Sequence, residues 1–194
     1  MSQNIEIEFK NMLTKEEYQN LIQHFQIQEE DFFKQENHYF DTADFLLKEH
    51  KSALRIRKKA DGYELTLKQP HTEGLLETNK LLTKEESDAI FKTGNIKYEP
   101  FASILLNMNI QPESIHYFGS LTTVRAEKVI ENGLLVLDHS FYLNEEDYEL
   151  EYEVSDVKKG QASFEKILHA CQIPVRKTKN KVQRFYAKKY KQHN

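Results

Sequence analysis

Five stretches of this chain alternate charged and apolar residues, and in each most of the charges keep to one parity. A period of two belongs to a β-strand, where successive side chains leave opposite faces. In NIEIEFK, Ile5, Ile7 and Phe9 share one face and Glu6, Glu8 and Lys10 the other. In ALRIRKK, Arg55 and Arg57 stand opposite Leu54 and Ile56. YELTLKQ sets Glu64, Thr66 and Lys68 against Leu65 and Leu67, and TTVRAEK puts Thr123, Arg125 and Glu127 on one side. YELEYEV sets Glu149, Glu151 and Glu153 against Leu150, Tyr152 and Val154, while Asp138 closes the apolar run GLLVL.

Two architectures accommodate that pattern. In the first, antiparallel strands rest one face on a core and show the other to water. In the second, a barrel is turned inside out: apolar strand faces look outward beneath helices, and the charged faces line an interior that holds a ligand. The charges are strongly sorted, with one strand presenting only carboxylates and another only guanidinium groups. At about 5 Å and an effective dielectric near 20, each like-charge pair costs roughly 3 kcal/mol before screening. Salt blunts that cost in open water, but inside a concavity the carboxylates need a cation or protons.

The chain has 194 residues, 39% of them hydrophobic, enough to bury a core in one domain. Charged residues reach 30%, with 27 basic against 31 acidic, so no positive excess marks a nucleic-acid partner. The single Cys171 allows no internal disulfide and suits a reducing cytoplasm. The opening MSQNIEIEFK has no apolar run, so no secretory signal is expected, and no stretch has the apolar length of a membrane span. The composition leaves the oligomeric state open.

Beyond those strands, LTKEEYQNLIQHF reads as a helix with a Thr14–Glu17 capping box. FFKQENHYFDT and LLETNKLL read as strands, and Asp61-Gly62 as a hairpin turn. TKEESDAIFKTG and YEPFASILLNM form a helical insert over about residues 83–110, the first helix ending near Gly94. A meander of three strands follows Pro112, then the amphipathic helix QASFEKILHACQI, stopped by Pro174. The basic tail is helical over about residues 180–191, and its charges read as a solvated helix face apart from the Thr178-Lys179 start. The fold expected is α+β, with about eight mostly antiparallel strands and helices between and after.

If the charged faces line a cavity, their chemistry is specific. Carboxylates bind a hard divalent cation through oxygen, which suits Mg²⁺ or Mn²⁺. Arg and Lys bind dense anions, so acidic and basic groups around one cavity describe a polyphosphate site. The eight His lack paired metal spacing, and the six Gly form no phosphate-cradling loop. Asp138, His139 and Ser140 form no triad, because strand neighbours face opposite ways. Cys171 reads as a small core residue, and Tyr39 to Thr42 as a corner.

EIEFK resembles the ExExK signature of the CYTH superfamily, the triphosphate tunnel metalloenzymes. YFDTADFLLKEHKSALRIRK resembles the family's next block, YELTLKQ the block after it, LDHSFYLNEEDYELEYEV the late Asp and Glu-x-Glu block, and RKTKNK the C-terminal Ser/Thr-Lys element. These blocks run in family order from Glu6 to about Lys181, and the chain looks most like small bacillus-type proteins labelled as triphosphatases. The resemblance implies one domain over residues 1–194: an eight-stranded antiparallel barrel forming a tunnel with a polar interior, flanked by helices. It implies metal ligands at Glu6, Glu8, Glu149 and Glu151, joined or oriented by Asp138, and catalytic roles for Glu6, Glu8 and Lys10. A small triphosphate would be gripped by Lys10, Arg55, Arg57, Lys68, Arg125 and Lys179. Glu77 matches an acidic family position, Glu64 and Glu153 would balance charge on the tunnel wall, and Lys177 shares the parity of Lys179. The segment from Glu73 to Asn79 lacks the Arg that many members carry before this Glu.

The activity implied is hydrolysis of inorganic triphosphate, or of an organic one such as thiamine triphosphate, with Mg²⁺ or Mn²⁺. A class IV adenylate cyclase would use the same clamp with a ribose hydroxyl in place of water, and a non-catalytic polyphosphate or nucleotide binding module would hold the ligand without turnover.

Overall fold

The computed structural model describes residues 1–59 and 62–192. Among them, in chain order, are β1 (Ser2–Leu13), α1 (Lys15–His24), β2 (Phe32–Asp41), α2 (Leu46–Glu49), β3 (Ala53–Lys59), β4 (Gly62–His71) and β5 (Gly74–Leu82). Then come α3 (Lys84–Thr93), α4 (Phe101–Asn107), β6 (His116–Ile130), β7 (Gly133–Tyr142), β8 (Glu145–Val154), α5 (Val157–Ala170) and α6 (Lys181–Gln192). The strands close into a barrel in the order β1-β5-β4-β3-β2-β6-β7-β8. Closure leaves no unpaired edge. Part of the turn expected at Asp61-Gly62 lies outside the described residues; Lys59 and Gly62 are paired across β3 and β4.

Two compact units divide the chain: one of Met1–Ile5 with Glu36–Ser120, the other of Glu6–Gln35 with the chain from Leu121 onward. In the first, Phe40, Leu54, Ile56, Leu65 and Leu67 leave the strands on one face and pack with Leu47 of α2, Ile90 of α3 and Phe101 and Leu105 of α4. In the second, Leu13, Ala126, Leu135, Leu137, Leu150 and Tyr152 pack with Tyr18 and Leu21 of α1 and Phe164 and Leu168 of α5. Each unit therefore covers its apolar strand face with its own helices, and the charged face is the other one. In a closed barrel that face is the inner one, so the charged faces are not an ordinary solvated sheet. Truncating one of these fully buried leucines costs about 2–5 kcal/mol.

Local signals hold the helices in register. Thr14 and Thr83 accept from the backbone N–H groups of Glu17 and Glu86, whose carboxylates accept in return, completing capping boxes on α1 and α3. Helix α3 ends at Gly94 with φ +71°, where a Cβ would come within 1.6 Å of the Ile115 carbonyl oxygen. Helix α5 begins at Val157, several residues before the expected start, because Asp156 accepts from the Lys159 N–H and serves as the cap. The corner after β2 is built by the buried Asp41, which accepts from the backbone N–H groups of Thr42, Leu47 and Lys48. Cys171 packs against the second unit's core, as expected of a small core residue.

Candidate functional site

The second unit gathers most of the carboxylates. Antiparallel pairing sets Lys10 opposite Glu151 and Glu8 opposite Glu153 across β1 and β8. It sets Arg125 opposite Asp138 across β6 and β7, and Asp138 opposite Glu149 across β7 and β8. Directly opposed residues share a face, so strand register alone assembles this group. Asp138 lies in the middle of β7, not at its end, and both it and Glu149 are 0% exposed.

Cations tie the group together. Arg125 donates through Nε to Asp138 at 2.8 Å and through Nη2 to Asp138 at 2.6 Å and Glu151 at 2.8 Å. The Lys10 ammonium bonds the Glu8 carboxylate. Lys181 of α6 sets its Nζ 2.7 Å from Asp138, 2.6 Å from Glu149 and 2.5 Å from Glu151. Arg184, one turn on, donates to Asp147 at 2.8 Å and Glu149 at 2.9 Å, and Lys188 pairs with Glu145.

The structure corrects one expectation at this point. The basic face of the tail is not solvated: Lys181, Arg184 and Lys188 are spaced to share one helix face, and they meet the acidic stripe Glu145, Asp147, Glu149 and Glu151 of β8. Lys177 and Lys179 are exposed in the irregular segment before α6, and neither makes an ion pair among the described residues. The preceding segment is strapped to β1 by Thr178, which accepts from the Met12 N–H, and by Arg176, which bonds Glu17, so the chain reaches the acidic group only after residue 180. The stride 181, 184, 188 against acids at every second residue of β8 was the readable signal.

Charge compensation shows in the titration of these groups. Burial alone would raise the Glu151 carboxyl, but Lys181, Arg125 and Lys10 hold it well below the usual carboxylate range. Burial would lower Lys181, yet Asp138, Glu149 and Glu151 keep its ammonium charged far above the usual lysine value. Glu153 goes the other way: burial, then the neighbouring Glu6 carboxylate, push it up to about 7.

The first unit carries the other candidates. Arg55 faces Thr66 and Tyr39, Arg57 faces Glu64 and Asn37, and Lys68 faces Glu77. The Lys68 ammonium stands 2.6 Å from Glu77, and Lys59 stands 2.9 Å from Glu64. Burial would raise Glu77, but Lys68 and then Arg55 bring its carboxyl down to about 2. Neutral side chains complete this face. The Nε of Arg57 donates to Asn37 at 2.8 Å, the Thr66 hydroxyl donates to Asn79 at 2.8 Å, and Asn79 donates to Asn4 at 3.1 Å. Arg55 keeps a buried Nε with no hydrogen-bond partner.

The donor set suits a hard divalent ion. Asp138, Glu149 and Glu151 offer only oxygen and already converge on a single cationic atom. That atom is an ammonium nitrogen, and among the described residues no group of three or more His, Cys, Asp or Glu is placed to hold a metal ion. His139 lies on the opposite strand face, stacked on Tyr148 with ring centroids 4.2 Å apart and bonded to Glu146. It belongs to neither a triad nor the acidic group. No helix among the described residues is long and apolar enough to cross a membrane.

The chain is similar to known proteins in sequence and in fold. The family model described as the CYTH domain matches residues 4–186. "Putative triphosphatase YjbK" of Bacillus subtilis is 52% identical over 191 residues, covering 98% of this chain and 99% of that protein. A crystal structure described as a "putative adenylate cyclase" from Bacillus halodurans superimposes with a TM-score of 0.91 at 42% identity, covering 96% of this chain and all of that one. The structure of a Hippeastrum protein, described as a "putative adenylyl cyclase" with dominant triphosphatase activity, shares the fold with a TM-score of 0.76 at 22% identity, covering 94% and 96% of the two chains.

Proposed function

The chain belongs to the CYTH family, and from that premise we propose that it is a cytoplasmic hydrolase of a small triphosphate that works with Mg²⁺ or Mn²⁺, inorganic triphosphate before thiamine triphosphate. The observation that carries this reading is the convergence of Asp138, Glu149 and Glu151 on one cation position. The unpartnered Arg55 Nε and the triphosphatase description of a relative 52% identical support it. The reading takes residues 1–194 as one working domain.

Glu6, Glu8, Glu149 and Glu151 would hold the divalent ion, with Asp138 joining or orienting them. Bound there, the ion supplies Lewis acidity toward phosphate oxygens and lowers the pKa of an attacking water. The protein's own task in phosphoryl transfer is positioning and charge neutralisation. Arg55, Arg57 and Lys68 bind phosphate oxygens, Arg57 aligned by Asn37 and Lys68 by Glu77. Lys10 holds Glu8 in place and adds its charge to the clamp. Arg125 holds Asp138 and Glu151 in position and stabilises negative charge as it develops on the transferring group. Glu64 keeps Lys59, and Glu153 with Glu6 sets the acidic balance of the wall.

The test is phosphate release from inorganic triphosphate, thiamine triphosphate and ATP, each with Mg²⁺ and with Mn²⁺, while cyclic AMP is followed in the ATP arms. Phosphate release from inorganic triphosphate as the fastest reaction is the expected result. Cyclic AMP as the main product would replace this reading with the cyclase suggested by the Bacillus halodurans relative, and tight binding without turnover would make the protein a binding module. Glu8→Gln should lower phosphate release by about a hundredfold or more, since it removes charge from the catalytic centre, while circular dichroism stays unchanged. Full activity in that variant would remove Glu8 from the metal set.

A further inference from the structure

Lys181 occupies the position that the carboxylate trio offers to a cation. Its Nζ touches Asp138, Glu149 and Glu151 at 2.7, 2.6 and 2.5 Å, and its side chain is only 12% exposed. Arg125 bonds two of the same carboxylates, and Arg184 bonds Glu149. Each member of the trio is therefore neutralised by side chains of this chain alone. Removing Lys181 would leave buried like charges facing one another.

An ammonium and a hard divalent ion ask the same thing of these oxygens, and two cations do not share one position. Resting on the metal-dependent reading above, we propose that Lys181 is an internal counter-ion: it keeps the carboxylates assembled while no divalent ion is bound, and it must leave them when one binds. Docking of the first turn of α6 and divalent binding are then linked and mutually opposed. Linkage is reciprocal, so the tighter α6 docks, the weaker the protein holds a divalent ion by itself. A polyanion offers the displaced ammonium a new partner. Metal and triphosphate should therefore bind with positive cooperativity, and the protein without triphosphate should discharge its ion readily.

The experiment is a Mn²⁺ titration at pH 8, without triphosphate, read by the electron paramagnetic resonance of free Mn²⁺, on the intact protein and on Lys181→Met. The variant should bind Mn²⁺ about tenfold or more tightly, the factor that loss of one competing charge-assisted contact gives. Equal or weaker binding by the variant overturns the counter-ion role and leaves the metal reading intact. No Mn²⁺ binding by either protein overturns the metal reading, and this inference with it. A second measurement needs no variant. The Lys181 ammonium resonance of the ¹⁵N-labelled intact protein, protected by its three carboxylates, should shift or vanish as Mg²⁺ is added; an unchanged signal at saturating Mg²⁺ overturns the proposal.

Discussion

The charged strand faces of the two units carry the same residue types and use them differently. In the first unit, Lys68 and Lys59 each meet a carboxylate, Arg57 leans on a neutral amide, and Arg55 has a buried Nε with no partner. In the second, Asp138, Glu149 and Glu151 are each bonded to one or more cations, and Lys181 serves all three. The second is balanced from within by its own cations. The difference is one of compensation: buried carboxylates hold together only where cations meet them, whereas a guanidinium keeps one N–H unmatched at a smaller cost.

The sharpest way to break this comparison is to delete one arginine from each face. Arg125→Ala takes from two buried carboxylates one of the two cations that each of them meets, and should cost about 3 kcal/mol in urea unfolding. Arg55→Met removes a guanidinium whose Nε is already unsatisfied, and should change stability by no more than about 1 kcal/mol. The same Arg55→Met should raise the KM for inorganic triphosphate roughly 10–100-fold, the value of one or two charge-assisted hydrogen bonds. If the two variants lose equal stability, the faces are not differently compensated.

A smaller effect sharpens the comparison through pH, because one carboxylate in each unit is displaced in the opposite direction. Glu77 is held at about 2 against an ordinary value of 4.5, so its pairing stabilises the fold above the ordinary value and is lost as pH falls toward 2. Glu77→Gln should therefore destabilise the metal-free protein by about 1–2 kcal/mol at pH 7, after allowing for solvent screening, and by progressively less in acid. Glu153 is raised from 4.5 to about 7, so it binds its proton more tightly in the folded state and costs stability as pH rises through that interval. Glu153→Gln should stabilise the metal-free protein at pH 8 and do nothing at pH 4. Thermal unfolding across pH checks both signs.

The smallest effect tests where the α6 contacts hold their energy. The Lys188 pair with Glu145 lies at the exposed end of the helix, with 33% and 46% of the two side chains accessible. Lys188→Ala should cost about 0.5 kcal/mol or less in the same unfolding measurement. A loss comparable to that of Arg125→Ala would mean that the helix is anchored along its whole length and not at its buried first turn.

Much of this molecule is legible in its sequence because strand parity is local. Alternation fixes which side chains share a face, so the Glu8–Lys10, Arg55–Arg57 and Glu149–Glu151 faces follow from the chain itself, as do the capping boxes at Thr14 and Thr83. Parity cannot say which distant element answers those charges. The tertiary structure brought Lys181 to the acidic group, since Thr178 and Arg176 strap the preceding segment to β1 and α1 before α6 begins. It also placed Arg184 on Asp147 and Asn37 on Arg57, contacts that join residues far apart in the chain. Periodicity carries the direction of a side chain, and only the closed arrangement of strands and helices carries its partner.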